Sequence, residues 1–172
     1  MRIAYADPPY PGQSLKHYGT HPDYAGEVDH RDLLDKLGTY DGWILHTSST
    51  ALPEVLGYAA GLEFRVMAWV KPFAAFKRNI PVAYAWEPVL VHPVRKPVVS
   101  GRLVLRDWIA EPITMQRGLV GAKPEAVCRW LFEAVGAEAR DELHDLFPGS
   151  GAVTRAWESW RSEVRLELEV PT

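Results

Sequence analysis

Cysteine is almost absent: Cys128 is the only one in 172 residues. A single cysteine makes no internal disulfide, so packing has to hold the fold, and a reducing cytoplasm is the expected setting. Long apolar runs are missing too. No stretch reaches the ~18 consecutive apolar residues of a membrane span, and no basic-then-apolar leader opens the chain. The six histidines are scattered without ligand spacing, so no metal site is expected. No repeat or low-complexity segment stands out. Net charge is only −3, which by itself does not point to nucleic acid.

What is present is a large apolar share, 47% of residues, with seven Trp. A chain of this length buries roughly two thirds of its unfolded surface, so a single domain spanning 1–172 is the expectation. The modest net charge hides an asymmetry. From Arg65 to Arg106 the chain carries eight Lys or Arg against one acid, Glu87, a local net of +7. Such a block is a candidate phosphate-binding face, and a solvated charged loop explains it equally well.

Hydrophobic spacing predicts alternating strands and helices. Strands are expected at Arg2–Ala6, Trp43–Thr47, Phe64–Val70, Tyr84–Val91 and Leu143–Phe147. A charged–apolar alternation at Val164–Val170 reads as an edge strand. Helices are expected over Asp29–Leu37, from the Thr47–Thr50 caps to near Gly61, from Pro124 to Gly136, and from the Gly-rich turn to about Trp160. Residues 93–121 read as irregular. This order argues for an α/β fold with a mostly parallel central sheet and helices on both faces. Ligands in such sheets bind beyond the carboxyl ends of the strands.

Two of those strand ends carry distinctive loops. The first is Asp7-Pro8-Pro9-Tyr10. Its prolines fix φ near −65° and remove two N–H donors, and Pro8 biases Asp7 towards extended backbone. The result is a stiff array of hydrogen-bond acceptors followed by an aromatic ring, suited to a planar heterocycle bearing an amino group. A Pro-rich turn with a capping Asp explains it as well. The second is Asp145-Leu146-Phe147-Pro148-Gly149-Ser150-Gly151. A strand, Gly-x-Gly and a helix start place free N–H groups and a positive helix end beside the strand tip. A tight turn without a ligand is the plain alternative.

Together the two loops resemble the signature motifs of the S-adenosylmethionine-dependent amino methyltransferases, which modify adenine N6 or cytosine N4 in nucleic acids. DPPY first and FxGxG near the C-terminus resembles the circularly permuted, beta-class order, in which a Lys-Pro pair precedes FxGxG; Lys123-Pro124 stands there. The segments AWVKPF and YAWEPVLV are similar to the mRNA-type N6-adenosine methyltransferases, which have Trp where Tyr10 stands. The resemblance extends to the orphan DNA adenine methylases of bacteria and phages, and thins over residues 93–120. That region is all that remains for target recognition.

The resemblance implies a Rossmann-like methyltransferase fold in permuted order and S-adenosylmethionine as cofactor. It implies methyl transfer to the N6 amine of adenine, with DNA favoured over RNA, in a cytoplasmic protein of bacterial or phage origin. Asp7 and the Pro8 carbonyl would hold the amine, on a loop stiffened by Pro9, with Tyr10 stacking on the base. Phe147, Pro148, Gly149, Ser150 and Gly151 would cradle the donor, Lys123 or Asp145 would approach its amino-acid end, and Glu167 or Glu169 would take its ribose. Lys71, Lys77, Arg78, Arg95 and Lys96 would hold the polynucleotide, and Trp69, Phe73 and Trp86 are candidates for core or for stacking. Cys128 reads as packing inside a helix. RNA adenosine or cytosine N4 acceptors stay open, as does a non-catalytic nucleic-acid-binding subunit. A homodimer or a partner subunit would supply missing recognition. A nicotinamide enzyme is disfavoured, because too little chain follows the Gly-rich loop.

Overall fold

A computed structural model describes residues 1–9, 28–72, 81–95, 104–113 and 122–169, the side chains of 167–169 excepted. The described residues form six strands and four helices, in the order β1 (Arg2–Ala6), α1 (His30–Leu37), β2 (Gly42–His46), α2 (Leu52–Tyr58), β3 (Arg65–Val70), β4 (Trp86–His92), β5 (Trp108–Ala110), α3 (Glu125–Val135), β6 (Glu142–Asp145) and α4 (Ala152–Glu169). The strands form one sheet in the order β5-β3-β4-β2-β1-β6. β1 pairs in parallel with β2 and β6, and β3 in parallel with β5, whereas β4 runs antiparallel to both of its neighbours. Five strands therefore point one way and β4 alone points back.

The local signals explain most boundaries. Asp29 caps α1 by accepting the N–H groups of Arg31 and Asp32, and Leu33, Leu34 and Leu37 form its buried stripe. α3 is apolar nearly all round, with Val127, Cys128, Trp130, Leu131, Phe132 and Val135 buried, as suits a helix enclosed on several sides. It stops at Gly136, whose φ of 74° lies in the left-handed region that glycine tolerates.

Period-2 alternation in the strands divides the core into two layers. Ile3, Tyr5, Ile44, Met67, Trp69, Val89 and Val91 face α3 and α4. Ala4, Ala6, Trp43, Leu45 and Leu90 face α1 and α2. Between α3 and α4, Phe132 meets Trp157 edge-on at 5.1 Å, and Trp157 stacks with Trp160 at 5.1 Å. Aromatic pairs of this kind add roughly 0.5–1.5 kcal/mol beyond area burial.

Two expectations fail. Residues 93–121 are not irregular throughout, because Trp108–Ala110 forms β5 beside β3. Three residues are too few for alternation to show; the Ala68 N–H to Asp107 carbonyl bond and the packing of Ile109 on the core fix the strand. Val164 to Glu169 is not an edge strand but the end of α4, which is 18 residues long. The inward residues Val153, Ala156, Trp157, Trp160 and Val164 keep helical spacing. The LELE alternation begins with Leu166, which is exposed, and the backbone stays helical through Glu169. Among the described residues, no helix is long and apolar enough to cross a membrane.

Candidate active site

β1 and β6 are adjacent and parallel, with Tyr5 opposite Asp145. Their loops therefore leave the sheet side by side, although about 140 residues separate them in sequence. The Leu146 N–H bonds to the Tyr5 carbonyl at 2.9 Å, extending the pairing into the second loop. The chain leaving β1 returns through α1 on one face, and the chain leaving β6 enters α4 on the other. Neighbouring strands whose connections part in this way open a crevice at their carboxyl ends. Asp7, Pro8 and Pro9 follow β1 and residues 146–151 follow β6 at that edge of the sheet.

The Gly-rich loop is shaped by its backbone. Gly149 and Gly151 have φ of 45° and 71°, values that side chains disfavour. The Gly151 N–H closes on the Pro148 carbonyl, and Arg155 reaches back to the Ser150 carbonyl at 2.9 Å. Phe147 packs half-buried against the α1/α2 layer. The Asp145 carboxylate accepts the Phe147 N–H at 3.2 Å and lies 3.5 Å from the Thr154 hydroxyl. Burial, helped by the nearby charge of Asp7, raises its pKa.

Around Asp7 stands a compact charge cluster. Lys123 Nζ donates to Asp7 Oδ2 at 2.7 Å and lies 3.2 Å from Glu87 Oε1. Lys71 Nζ donates to Glu87 Oε2 at 2.7 Å. Both ammonium groups sit over the Trp69 ring, at 4.5 and 5.6 Å. Burial alone would lower the Lys123 pKa; the Asp7 and Glu87 carboxylates outweigh it and hold the value well above the usual lysine range. Burial alone would raise Glu87, but Lys123, His46 and Lys71 hold it well below the usual carboxylate range. Two cations balance two carboxylates, which is how buried charge is tolerated.

The cluster continues inward. His46 Nδ1 lies 2.6 Å from Glu87 Oε1, and His46 Nε2 lies 2.7 Å from the Tyr5 hydroxyl. An ionised Glu87 only accepts, so Nδ1 carries a hydrogen directed at it. Ligand atoms of Asp7, His46 and Glu87 fall within 4.8 Å of one another, an assembly that the scattered spacing of the histidines did not suggest. The Lys123 ammonium, bonded to both carboxylates, already supplies the positive charge at this spot.

Other expected residues divide. Lys71 and Lys123 reach the site. Trp69 is core: it is buried, and its indole N–H donates to the Glu111 carbonyl at 2.7 Å. Trp86 is 40% exposed at the start of β4. Arg95 is a correction. Its guanidinium grips Asp141 at 2.6 and 2.7 Å, at the far end of β1 from Asp7, so it does not join a face there. Glu167 and Glu169 are a second correction. The final turns of α4 carry them, 16 or more residues past Gly151, or about 24 Å at 1.5 Å per residue, whereas a strand would have returned them towards the loop. Glu163 pairs with Arg129 at 2.6 Å. Cys128 is buried, and that burial pushes its thiol up to about 12, consistent with packing. Tyr10, Phe73, Lys77, Arg78 and Lys96 lie outside the described residues.

No family model and no curated protein matches this sequence. Solved structures do. The M1.HpyAVI–SAM complex superposes with a TM-score of 0.56 at 17% identity, covering 93% of this chain and 77% of that one. A second crystal structure of M1.HpyAVI gives 0.57 at 18% identity, covering 93% of this chain and 76% of that one. At such identities the likeness establishes the fold. It is a mixed α/β fold of the kind that holds SAM in M1.HpyAVI.

His46, Glu87 and Tyr5 were not singled out as site residues by the sequence. One signal was available for Glu87, the lone acid inside the basic block. Nothing in the spacing marks His46 or Tyr5, because only the pairing of β1, β2 and β4 brings them together.

Proposed function

We propose that this protein is an S-adenosylmethionine-dependent methyltransferase acting on the N6 amine of adenine in DNA. One observation carries the reading: the Asp7-Pro8-Pro9 loop and the Phe147–Gly151 loop leave adjacent parallel strands at the same edge of the sheet. The fold shared with a SAM complex supports the choice of donor.

In this reading the donor lies against Gly149, Ser150 and Gly151, with free N–H groups at the start of α4 for its carboxylate. Asp145 faces its cationic part. Asp7 and the Pro8 carbonyl accept hydrogen bonds from the adenine amine and align its lone pair with the methyl carbon. The N–C bond forms as the S–C bond breaks, and the sulfonium leaves as a neutral thioether. The amine's extra proton, acidic once the nitrogen is methylated, departs through Asp7 or to water. Most of the rate comes from alignment and from acceptors placed where positive charge grows. Lys123, itself anchored by Glu87, holds Asp7 in place. Tyr10 is assigned the stacking role, and Lys71, Lys77, Arg78 and Lys96 the backbone contacts. The target base would be unpaired or flipped.

The placement of Glu167 and Glu169 favours a second reading, a nucleic-acid-binding subunit without transfer activity. The two separate cleanly. Calorimetry with S-adenosylmethionine and transfer of labelled methyl to single- and double-stranded DNA and RNA are measured in parallel, and mass spectrometry identifies the modified nucleoside. N6-methyladenine in DNA, lost in Asp7→Ala while donor binding persists, supports the first reading. Nucleic-acid binding without donor binding leaves the second. N4-methylcytosine or modified RNA changes the acceptor and keeps the chemistry.

A further inference from the structure

The sheet is covered unequally. On the α3/α4 side, Met67, Trp69 and Ile109 pack into the core out to β5. On the other side the buried layer under α1 and α2 ends at Leu90 of β4. Pairing places Leu90 beside Val66, Pro88 beside Ala68 and Trp86 beside Val70. It also places Trp108 beside Ala68 and Ala110 beside Val70. Val66, Ala68, Val70, Trp86, Trp108 and Ala110 therefore share one face, and among the described residues no helix covers it. Trp86 is 40% exposed, Trp108 45% and Val66 39%. Two exposed indoles on one sheet face call for an occupant.

We propose that this bare face is a stacking platform for single-stranded DNA flanking the target base. The inference rests on the nucleic-acid reading above and names the strand form that the site takes. Three observations select this occupant. First, the face shares an edge of the sheet with the candidate site, which lies on the opposite side: Trp86 begins β4 immediately before Glu87, and Lys71 follows Val70. Second, the strands belong to a stretch of sequence in which cations outnumber acids, and Arg106 of that stretch stands at the face, which complements a phosphate backbone. Third, the Arg106 guanidinium lies 5.5 Å over the Trp108 ring. That pairing offers one group to a phosphate and leaves a flat aromatic surface to a base. A pleated face with spaced aromatics binds unpaired bases without needing a groove, and a duplex shields the π-faces that it would use.

The test is fluorescence anisotropy with a labelled single-stranded oligodeoxynucleotide on the full chain. The same oligomer is offered as duplex and as RNA, with donor affinity measured alongside. Trp86→Ala and Trp108→Ala are each expected to weaken single-strand binding roughly tenfold. Trp108→Phe should restore most of it, and donor affinity should not change. Indole emission should be quenched on binding in the wild type and less so in Trp108→Ala. Unchanged single-strand affinity in both alanine variants overturns the proposal. So does tighter binding of duplex, binding confined to RNA, or self-association that Trp108→Ala dissolves, since a second copy would then own the face. Trp-dependent binding of single strands by a chain that transfers no methyl keeps the platform and removes the proposed activity. Methyl transfer indifferent to both tryptophans does the reverse.

Discussion

β1 ends in a carboxylate cluster on either side, and the two clusters are built differently. At the lower end Asp141 is fully buried. One of its oxygens takes the N-terminal ammonium at 3.2 Å and Arg95 at 2.7 Å; the other takes Arg95 at 2.6 Å and the Glu138 N–H at 2.8 Å. At the upper end Asp7 shares a single ammonium, its side chain is 25% exposed, and among the described residues its Oδ1 has no partner. A carboxylate with every lone pair engaged holds strands together. One left partly open beside a crevice can receive a ligand's donor groups.

Four outcomes would break or sharpen that contrast. The largest concerns the open carboxylate. Asp7→Asn keeps the shape and weakens the acceptor, so the methyl-transfer rate should fall on the order of 10²–10³-fold. The thermal midpoint should fall less than in Asp141→Ala, because Asn keeps the shape and Lys123 keeps Glu87. A drop as large as that of Asp141→Ala would make Asp7 structural, like its counterpart.

Asp141→Ala should do the opposite. It removes the buried acceptor of four hydrogen bonds and leaves Arg95 only its contacts with Glu138 and the Gly136 carbonyl, costing about 3 kcal/mol and lowering the melting temperature by roughly 6–12 °C. Donor affinity should persist below that temperature. The same group predicts a pH dependence. Burial would raise the Asp141 pKa, but the bonds from Arg95, the Glu138 N–H and the N-terminus hold it below the ordinary value. Its stabilising contribution is therefore complete above about pH 4, and is lost as pH falls through the depressed folded-state value. Acid titration of stability should show this loss in the wild type and not in Asp141→Ala.

Gly151→Ala tests the second loop. The methyl group would sit at φ 71° and 3.1 Å from an Arg155 nitrogen, costing about 1 kcal/mol. Donor affinity measured by calorimetry should fall several-fold. An unchanged affinity would place the donor elsewhere.

The smallest effect belongs to Glu163. Its pKa is lowered chiefly by its hydrogen bond with Arg129 on the solvated α3/α4 surface, where such pairs contribute little. Glu163→Ala should leave both melting and donor affinity unchanged. A loss of donor affinity would return this acid to the site.

The two loops differ in how far they could be read in advance. Pro8, Pro9, Gly149 and Gly151 act through backbone constraints that belong to the residues themselves, so both turns were legible. α1 and α3 were legible for similar reasons, through Asp29, Gly136 and buried stripes at helical spacing. The Val164–Val170 segment misled because alternation by itself does not fix a strand, and the backbone of α4 stays helical through Glu169. β5 was hidden by its length. His46 and Glu87 were unreadable as partners because 41 residues separate them and antiparallel pairing of β2 with β4 joins them.

By itself the sequence determined the stiff acceptor turn, the glycine turn, the alternation of strands and helices, and the concentration of cations between Arg65 and Arg106. Each follows from local stereochemistry or composition. Tertiary structure alone decided that the two turns are neighbours, that Arg95 locks the lower end of the sheet while Lys123 serves the upper, and that Trp69 is covered while Trp86 and Trp108 are bare. Those outcomes depend on strand order and on which face each helix covers, and both are set by long-range burial that no short window of sequence contains.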